Sequence, residues 1–212
     1  MSSNSPIVSD IAFTPIVKAI QARKGSRRAY ARMEGDKGWN TTITPELAAF
    51  IAAQSSVFLG TANAAGQPYI QHRGGPPGFL RVLDERTIAF TDLQGNRQFI
   101  TQGNLAENPK AHLFLIDYAN RQRIKLWGEA RIVEDDAALL AHLMPKDGRF
   151  RGEDVLEFRV RAWDANCPKH IPQRFDAVDV ARALEQRDQR ITELEAEIAR
   201  LLKARAPFAG GN

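Results

Sequence analysis

Three segments of this 212-residue chain concentrate side chains that can bind phosphate or a planar ring. In the first, QHRGGPPGF at 71–79, Arg73 is a donor for a phosphate or a polar ring edge. The glycines beside it, beginning with Gly74, let backbone amides approach a ligand closely. A tight loop with an exposed arginine gives the same pattern, so this segment indicates a site only together with the others.

The second segment, FTDLQGNRQF at 90–99, places Asn96 where a helix could begin, with Arg97 and Gln98 in its first turn. A helix N-terminus has unpaired N–H groups and a partial positive charge, both of which suit a phosphate. An arginine there opposes the helix dipole, and such a conflict is typical of a functional site. The alternative is an ordinary cap beside a solvated arginine.

The third segment, AWDANCPKHIPQRF at 162–175, is irregular, rich in polar groups and stiffened by two prolines. A planar cofactor could stack on Trp163, and Lys169 or His170 could lie near a substrate. Alternatively, Trp163 belongs to the core and the rest is a surface loop. Cys167 is either a reactive thiol or an inert one.

Conventional catalytic motifs do not occur in the sequence. The four histidines have no zinc-binding spacing, and neither a G-x-S-x-G motif nor a P-loop is found. A single cysteine excludes an internal disulfide and a cysteine-cluster metal site. We therefore expect no metal, and redox chemistry would have to come from a bound cofactor.

The composition is that of a globular protein, with 43% hydrophobic residues and a formal net charge of +4. Nucleic-acid binding is not expected, because no basic block alternates with aromatic residues. No apolar run is long enough for a membrane span, and the first residues do not resemble a secretory signal. These features predict a cytoplasmic protein.

The elements that would position these segments are short strands, which the pattern predicts at 57–61, 69–73, 87–91, 111–117, 123–133 and 155–163. Short helices are predicted at 97–107 and 135–144, and another over 47–53 behind Thr44 and Pro45. The fold class is α+β, mainly β with helices, and a closed barrel is expected rather than a parallel sheet.

Both ends of the chain differ from this central domain at 45–178. Residues 1–44 are expected to form an arm with a helix over 11–22, anchored by Ile11, Ile16, Ala19 and Ile20, followed by a basic loop. Residues 179–212 carry apolar residues at the a and d positions of a heptad, with Arg187 interrupting one d position. This helix either pairs across a dimer axis or lies on its own barrel, and recruitment of another partner is a further alternative.

The order of the segments resembles the pyridoxamine 5′-phosphate oxidase-like family over residues 45–175. The resemblance is carried by GQPY at 66–69, the arginine-containing strand at 70–74, FTD and GNRQ within 90–98, ENP at 107–109, AHLFLID at 111–117 and the strand RIKLWGEARIV. It implies an FMN-binding split β-barrel that forms a homodimer with two flavin sites at the subunit interface.

The resemblance also implies roles for individual residues. Gln71, His72 and Arg73 would lie on the strand facing the flavin, and Phe90 and Thr91 beside its ring and ribityl chain. Asn96, Arg97 and Gln98 would bind the phosphate. Contacts from the partner subunit would come from the strand with Arg123 and Lys125, and from Trp163 with the loop that follows it through Arg174.

Two departures from the family pattern affect the expected activity. Gln98 replaces a lysine of the phosphate site, and KHIPQR at 169–174 replaces the segment that holds pyridoxal phosphate in the true oxidases. The resemblance thus implies an oxidase-related FMN protein that takes electrons from NAD(P)H or a small organic donor. The alternatives are a non-enzymatic flavin carrier or sensor and a haem-binding split-barrel relative.

Overall fold

A computed structural model describes residues 7–36, 38–146, 150–166 and 168–205. A short 3-10 helix at Val8–Ile11 precedes six α-helices and seven β-strands within these residues. The helices are α1 Pro15–Lys24, α2 Arg27–Asp36, α3 Pro45–Ala53, α4 Ile100–Glu107, α5 Ala137–Leu143 and α6 Ala177–Arg205. The strands are β1 Ser56–Ala62, β2 Pro68–Gly74, β3 Arg81–Asp84, β4 Thr87–Leu93, β5 Lys110–Asp117, β6 Gln122–Val133 and β7 Gly152–Asn166.

The strands form one antiparallel sheet in the order β2-β1-β5-β6-β7-β4-β3. The α+β class and the six predicted strands are confirmed, and β3 is a seventh strand that the sequence analysis missed. Among the described residues β2 and β3 do not pair, so the expected closure of the barrel is wrong and the sheet is open. Only four residues long, β3 gives too short a pattern for prediction from sequence.

One face of each central strand supplies the core. Burial alternates along β1, β5 and β6, so that residues such as Leu59, Leu113 and Leu126 are fully buried. Phe90 on β4 and Phe158 on β7 join the same cluster. This alternation is what an antiparallel sheet with a single packed face requires.

Several helix predictions are confirmed. The α3 helix begins behind Thr44, whose hydroxyl accepts the N–H of Leu47 at 3.2 Å, and Pro45 is its first residue. Likewise, α5 begins behind Asp136, whose carboxylate accepts the N–H of Leu139. In both cases a side-chain oxygen satisfies an N–H group that the helix itself leaves unpaired.

The predictions for the N-terminal arm are partly wrong. The expected basic loop contains α2, because Gly25 and Gly38 lie at its ends, where their positive φ angles terminate the helices. The predicted anchors of the first helix, Ile11, Ile16, Ala19 and Ile20, are exposed. Phe13 packs instead on Tyr30 and Trp39, with ring centroids 5.1 Å away in each case. The arm is therefore held by contacts between aromatic rings and not by the spaced isoleucines of its first helix.

The chain divides into two compact units, residues 1–117 with 121–170, and residues 118–120 with 171–212. The second unit contains α6, the predicted C-terminal helix. In that unit the Arg174 guanidinium lies 4.8 Å from the centroid of the Tyr118 ring. No helix of the described residues has the length and apolar character needed to cross a membrane.

Candidate functional site

A cleft with about 440 Å³ of empty space lies where β2 and β4 meet the loop before α4. The loop, residues 94–99, joins β4 to α4. The cleft is lined by Tyr69, Gln71, Arg73, Asp92, Leu93, Gly95, Asn96, Arg97, Gln98, Phe99, Ile100, Thr101, Gln102 and Glu153. It therefore brings together five of the sequence-predicted cofactor residues, namely Gln71, Arg73, Asn96, Arg97 and Gln98.

The loop is longer than the sequence predicts, and the predicted helix start at Asn96 is wrong. The α4 helix begins at Ile100, because Arg97 and Phe99 have positive φ angles of 57° and 54° that are incompatible with a helix. Asn96 caps a local turn instead, its side-chain oxygen accepting the N–H of Gln98 at 3.4 Å.

The first turn of α4 borders the cleft. Within the described residues no side chain caps this helix, and its N-cap position is occupied by Phe99. Ile100, Thr101 and Gln102 contribute the first N–H groups of the helix and also line the cleft. An uncapped helix N-terminus at a cavity wall is a favourable place for an anion.

Arg73 lies at the inner side of the cleft and forms an ion pair with Asp92 of β4. Only 14% of its side chain is exposed, and its Nε atom is buried with no hydrogen-bond partner among the described residues. A buried donor without a partner costs free energy unless a ligand or water satisfies it. The Nε–H group of Arg73 is thus available to donate a hydrogen bond to a ligand or to water.

Gln102 lies between two acidic side chains at the same place. Its amide nitrogen is 3.5 Å from an oxygen of Asp92 and 3.2 Å from an oxygen of Asp154. These aspartates are cross-strand partners on β4 and β7, where two like charges repel each other. The Gln102 amide and the Arg73 guanidinium offset that repulsion.

Arg97 is held at the outer side of the cleft. Its guanidinium is 3.2 Å from the carboxylate of Glu153 and lies over the Phe99 ring at 5.5 Å. The Arg97 side chain is 58% exposed, so the ion pair is screened by solvent and can be exchanged for another anion. Glu153 is therefore the ion-pair partner of the arginine that is predicted to bind phosphate.

Gln71 and Thr91 are placed by the strands that carry them. Gln71 accepts a hydrogen bond from the hydroxyl of Thr101 at 2.6 Å, which joins β2 to α4. Thr91 is buried on β4, and its hydroxyl oxygen, like the Arg73 Nε, has no partner among the residues that the structure describes. Both of these unsatisfied atoms belong to residues that the sequence analysis assigned to a cofactor.

Three other predicted residues are not brought to the cleft. His72 points to the opposite face of β2, because side chains alternate along a strand, and it lies 2.8 Å from the hydroxyl of Ser56. Gly74 ends β2 beside that histidine. Phe90 is buried in the core, where its ring packs edge-on against Phe79.

Lys125 lies in a second cavity, with about 790 Å³ of empty space. Its ammonium group is 3.5 Å from Asp164 and 5.2 Å from the centroid of the Trp127 ring. Trp127 stacks on Trp39 with ring centroids 4.5 Å apart, which attaches the N-terminal arm to β6. On β6, the strand predicted to contact the partner subunit, Lys125 thus lies among aromatic rings and in an ion pair.

His112 packs edge-on against the same Trp127 ring, at 4.9 Å between centroids. Burial, together with the smaller effect of the positive charge of Lys125, lowers the pKa of His112 from 6.5 to about 4. At neutral pH the imidazole is uncharged.

Trp163 is not an open stacking platform in this chain. Its indole N–H donates to the carbonyl of Thr42 at 2.8 Å, and its backbone N–H donates to the carbonyl of Asn40 at 2.9 Å. The ring packs against the core cluster. Of the two interpretations offered by the sequence, the core role applies within one chain.

The remaining predicted residues lie outside both cavities. Arg123 is on β6 opposite Asn166, and Arg174 belongs to the second compact unit. Lys169 and His170 are exposed, and His170 has a positive φ of 68°. Cys167 lies outside the described residues.

Sequence reasoning missed the acidic side of the cleft, which consists of Asp92, Glu153 and Asp154. Asp92 was within a quoted segment, and its charge opposite Arg73 is the one signal that could have drawn attention to it. Glu153 and Asp154 reach the cleft only through the pairing of β4 with β7, about sixty residues apart in sequence. No local pattern reports such a pairing.

Comparison with known proteins gives one family match. The family model described as pyridoxamine 5′-phosphate oxidase matches residues 43–167, which is more than half of the chain. No curated protein matches the sequence.

Similar solved structures have low identity. The HupZ protein of Group A Streptococcus is 21% identical over 63% of this chain and 99% of that chain, with a TM-score of 0.48. An FMN-binding protein from Syntrophomonas wolfei is 13% identical over 69% and 97% of the two chains, with a TM-score of 0.44. The heme storage protein HutZ from Vibrio cholerae is 16% identical over 56% and 89%, with a TM-score of 0.41.

At these TM-scores the solved structures carry no inference about the ligand of this chain. The family match spans the sheet from β1 to β7 and every residue that lines the cleft. This protein therefore belongs to the pyridoxamine 5′-phosphate oxidase family.

Proposed function

We propose that this chain binds FMN in the cleft beside α4 and works as a flavin-dependent oxidoreductase. The observation that carries the proposal is the combination of an uncapped helix N-terminus, the exchangeable Arg97 and the unsatisfied Nε of Arg73 around one cleft. These are the donors that a phosphate monoester needs, namely backbone N–H groups and planar guanidinium groups.

The residues present fit FMN with one qualification. Arg97 and the first turn of α4 would hold the phosphate, and Arg73 has a buried donor available for the ribityl chain or the ring edge. Asp92 and Glu153 already neutralise the two arginines, so phosphate has to compete with Glu153 for Arg97. The cleft is therefore tuned for moderate rather than maximal affinity.

When bound, FMN supplies hydride acceptance and electron transfer, which none of the protein side chains can provide. The chain's own part is to hold and orient the cofactor. Gln71 is fixed by Thr101, so its amide nitrogen would be available to a ring edge, and Arg97 would hold the phosphate. NAD(P)H or a small organic molecule is the proposed electron donor.

The complete site is proposed to form between two copies of the chain. In one copy the predicted residues line two different cavities, one with Arg73 and Arg97 and the other with Lys125. A homodimer would allow the cavity beside Lys125 to face the cleft of its partner. The exposed apolar side chains Ile16, Ile70 and Phe99 are consistent with such an interface.

The test is the absorbance spectrum of the purified full chain, followed by anaerobic addition of NADH or NADPH. The proposal is supported if the protein is yellow, with absorbance at about 450 nm, and if NADH or NADPH removes that absorbance. Bound FMN that neither nicotinamide nor small organic donors reduce would indicate a carrier or sensor instead. A Soret band would indicate a haem protein, and a colourless chain that takes up no FMN on titration would overturn the proposal.

A further inference from the structure

The α6 helix carries an apolar stripe that its own chain leaves exposed. It is continuous over 29 residues, longer than the two and a half heptads evident in the sequence. In the heptad frame with Leu184 at a, the a and d positions from 180 to 201 are Val180, Leu184, Arg187, Ile191, Leu194, Ile198 and Leu201. The six apolar members are each 43–56% exposed.

The length of the stripe is sufficient for pairing with another helix. Positions 177 to 205 give about four heptads, and a coiled coil usually needs three or four. From Val180 to Leu201 the stripe runs for roughly 32 Å along the axis. A narrow a/d stripe of this kind fits a single partner helix better than the broad apolar face of a helix packed on a sheet.

We propose that α6 pairs with α6 of a second copy as a parallel, in-register, two-stranded coiled coil. The core residues favour this state, because β-branched residues at a together with leucine at d select parallel dimers. Ile191 and Ile198 occupy a, while Leu194 and Leu201 occupy d. The pairing does not depend on flavin binding.

Charge complementarity distinguishes the parallel from the antiparallel arrangement. In a parallel pair Arg190, at g, faces the partner's Glu195, at e, and the other g–e pairs contain no like charges. In the antiparallel pair that keeps the same core layers, Arg190 faces the partner's Glu197, but Asp188 faces the partner's Glu195. The antiparallel form therefore carries a repulsion that the parallel form avoids.

Arg187 is the polar residue in the core of the proposed coil. In the in-register parallel pair the two Arg187 side chains share one d layer. Each packs beside the partner's Asp188, whose carboxylate offsets the repulsion between the two guanidinium groups while the apolar stems are buried. A shift of one heptad would instead set the two arginines in separate layers, one against Leu194 and the other against Val180 of the facing helix. A single polar core residue of this kind fixes register at a cost in stability.

Single-cysteine crosslinking in the full chain tests the proposal. In a Cys167→Ala background, Leu184→Cys and Leu201→Cys each place one thiol near an end of the stripe. A parallel, in-register pair brings both sets of equivalent thiols together, so each variant alone should form a covalent dimer on mild oxidation. Ala196→Cys, at the outer f position, is the matched control and should remain monomeric on a non-reducing gel.

Two outcomes would overturn the proposal. If dimers form only when the Leu184→Cys and Leu201→Cys chains are mixed, the helices are antiparallel, because that arrangement sets position 184 opposite position 201. If neither variant crosslinks more than the Ala196→Cys control, α6 does not pair with its copy, whatever the oligomeric state of the rest of the chain. Circular dichroism of each variant verifies that the helix is retained.

Discussion

At the residue scale, the ion-pair partner of Arg97 decides whether the cleft accepts a phosphate. Its ion pair with Glu153 is 3.2 Å long and partly exposed, so its contribution to stability is small. Replacing one carboxylate oxygen by a phosphate oxygen preserves the charge-assisted bond and adds the N–H groups of α4. Glu153 and a phosphate therefore compete for the same guanidinium.

This competition predicts opposite effects for two substitutions. Arg97→Ala should weaken FMN binding by about 1.5–3 kcal/mol, the scale of a charge-assisted hydrogen bond. Glu153→Gln should strengthen FMN binding by up to about 1 kcal/mol, because the competing carboxylate is gone. Titration calorimetry with FMN and with riboflavin measures both effects, and riboflavin, which lacks the phosphate, should respond to neither substitution.

Arg161 and Glu129, an exposed ion pair with a 2.9 Å contact between β6 and β7, provide the matched controls. Arg161→Ala and Glu129→Gln should leave FMN affinity unchanged. If riboflavin loses as much affinity as FMN in Arg97→Ala, the arginine contacts another part of the flavin and the phosphate has been misplaced.

His112 gives a prediction on pH. Its pKa is about 4 in the folded chain and about 6.5 when exposed, so between these values the unfolded state binds more protons. The folded state should therefore lose stability as pH falls from 6.5 to 4, by an amount on the order of 1–2 kcal/mol after allowance for partial exposure of the ring. Urea unfolding at pH 7.5 and pH 5 measures this loss.

The variant His112→Gln should lose less stability than the parent chain over that pH range, since it lacks the titrating ring. His142→Gln, which removes an exposed histidine from α5, should keep the parent's pH dependence. If the free energy of unfolding changes equally with pH in the parent chain and in His112→Gln, His112 is not protonated on unfolding.

At the element scale, two glycines differ in whether their position could accept a side chain. Gly128 lies at the bulge between β6 and β7, where an added Cβ would lie 2.2 Å from the carbonyl oxygen of Arg159. Gly103 lies inside α4, and nothing within 4 Å would meet an added Cβ. The first glycine is needed for close approach of two strands, whereas the second only weakens a helix.

Gly128→Ala should therefore destabilise the chain by about 2–4 kcal/mol, because the clash is with backbone rather than with a movable side chain. Gly103→Ala should stabilise it by about 0.5–1 kcal/mol. Urea unfolding midpoints of the two variants measure the difference. A neutral Gly128→Ala would show that the bulge can relax and that the register of β6 with β7 is not fixed by this glycine.

The helices and strands differ in how well the sequence predicts them. The pattern of short apolar runs identified six strands, and Thr44 with Pro45 identified α3, because both signals are local. The α2 helix was missed because Gly25 and Gly38 were taken as breakers within a loop, whereas they end helices. The start of α4 was placed at Asn96 because a helix cap and a local turn use the same side-chain bond.

The site was predictable to a similar extent. Gln71, Arg73 and Arg97, which the family resemblance assigns to one flavin site, line the same cleft. Their carboxylate partners Glu153 and Asp154 depend on long-range pairing of β4 with β7 and were not evident. For Trp163 the sequence allowed both a stacking surface and a core residue, and its bonds to Thr42 and Asn40 became apparent only with the path of the arm.

At the scale of the whole molecule, the proposed flavin site and the proposed coiled coil both require a second copy of the chain. They are independent, since one rests on the cleft beside α4 and the other on the heptad pattern of α6. Loss of the α6 pairing should lower the strength of dimerisation without changing the residues that contact the phosphate.

The most direct test of the central claim is a crystal structure of the full chain with FMN. We predict that the phosphate lies within hydrogen-bond distance of Arg97 and of the first N–H groups of α4, and that Glu153 has left the arginine. A flavin bound elsewhere, or a phosphate held by other residues while Arg97 stays paired with Glu153, would contradict the account.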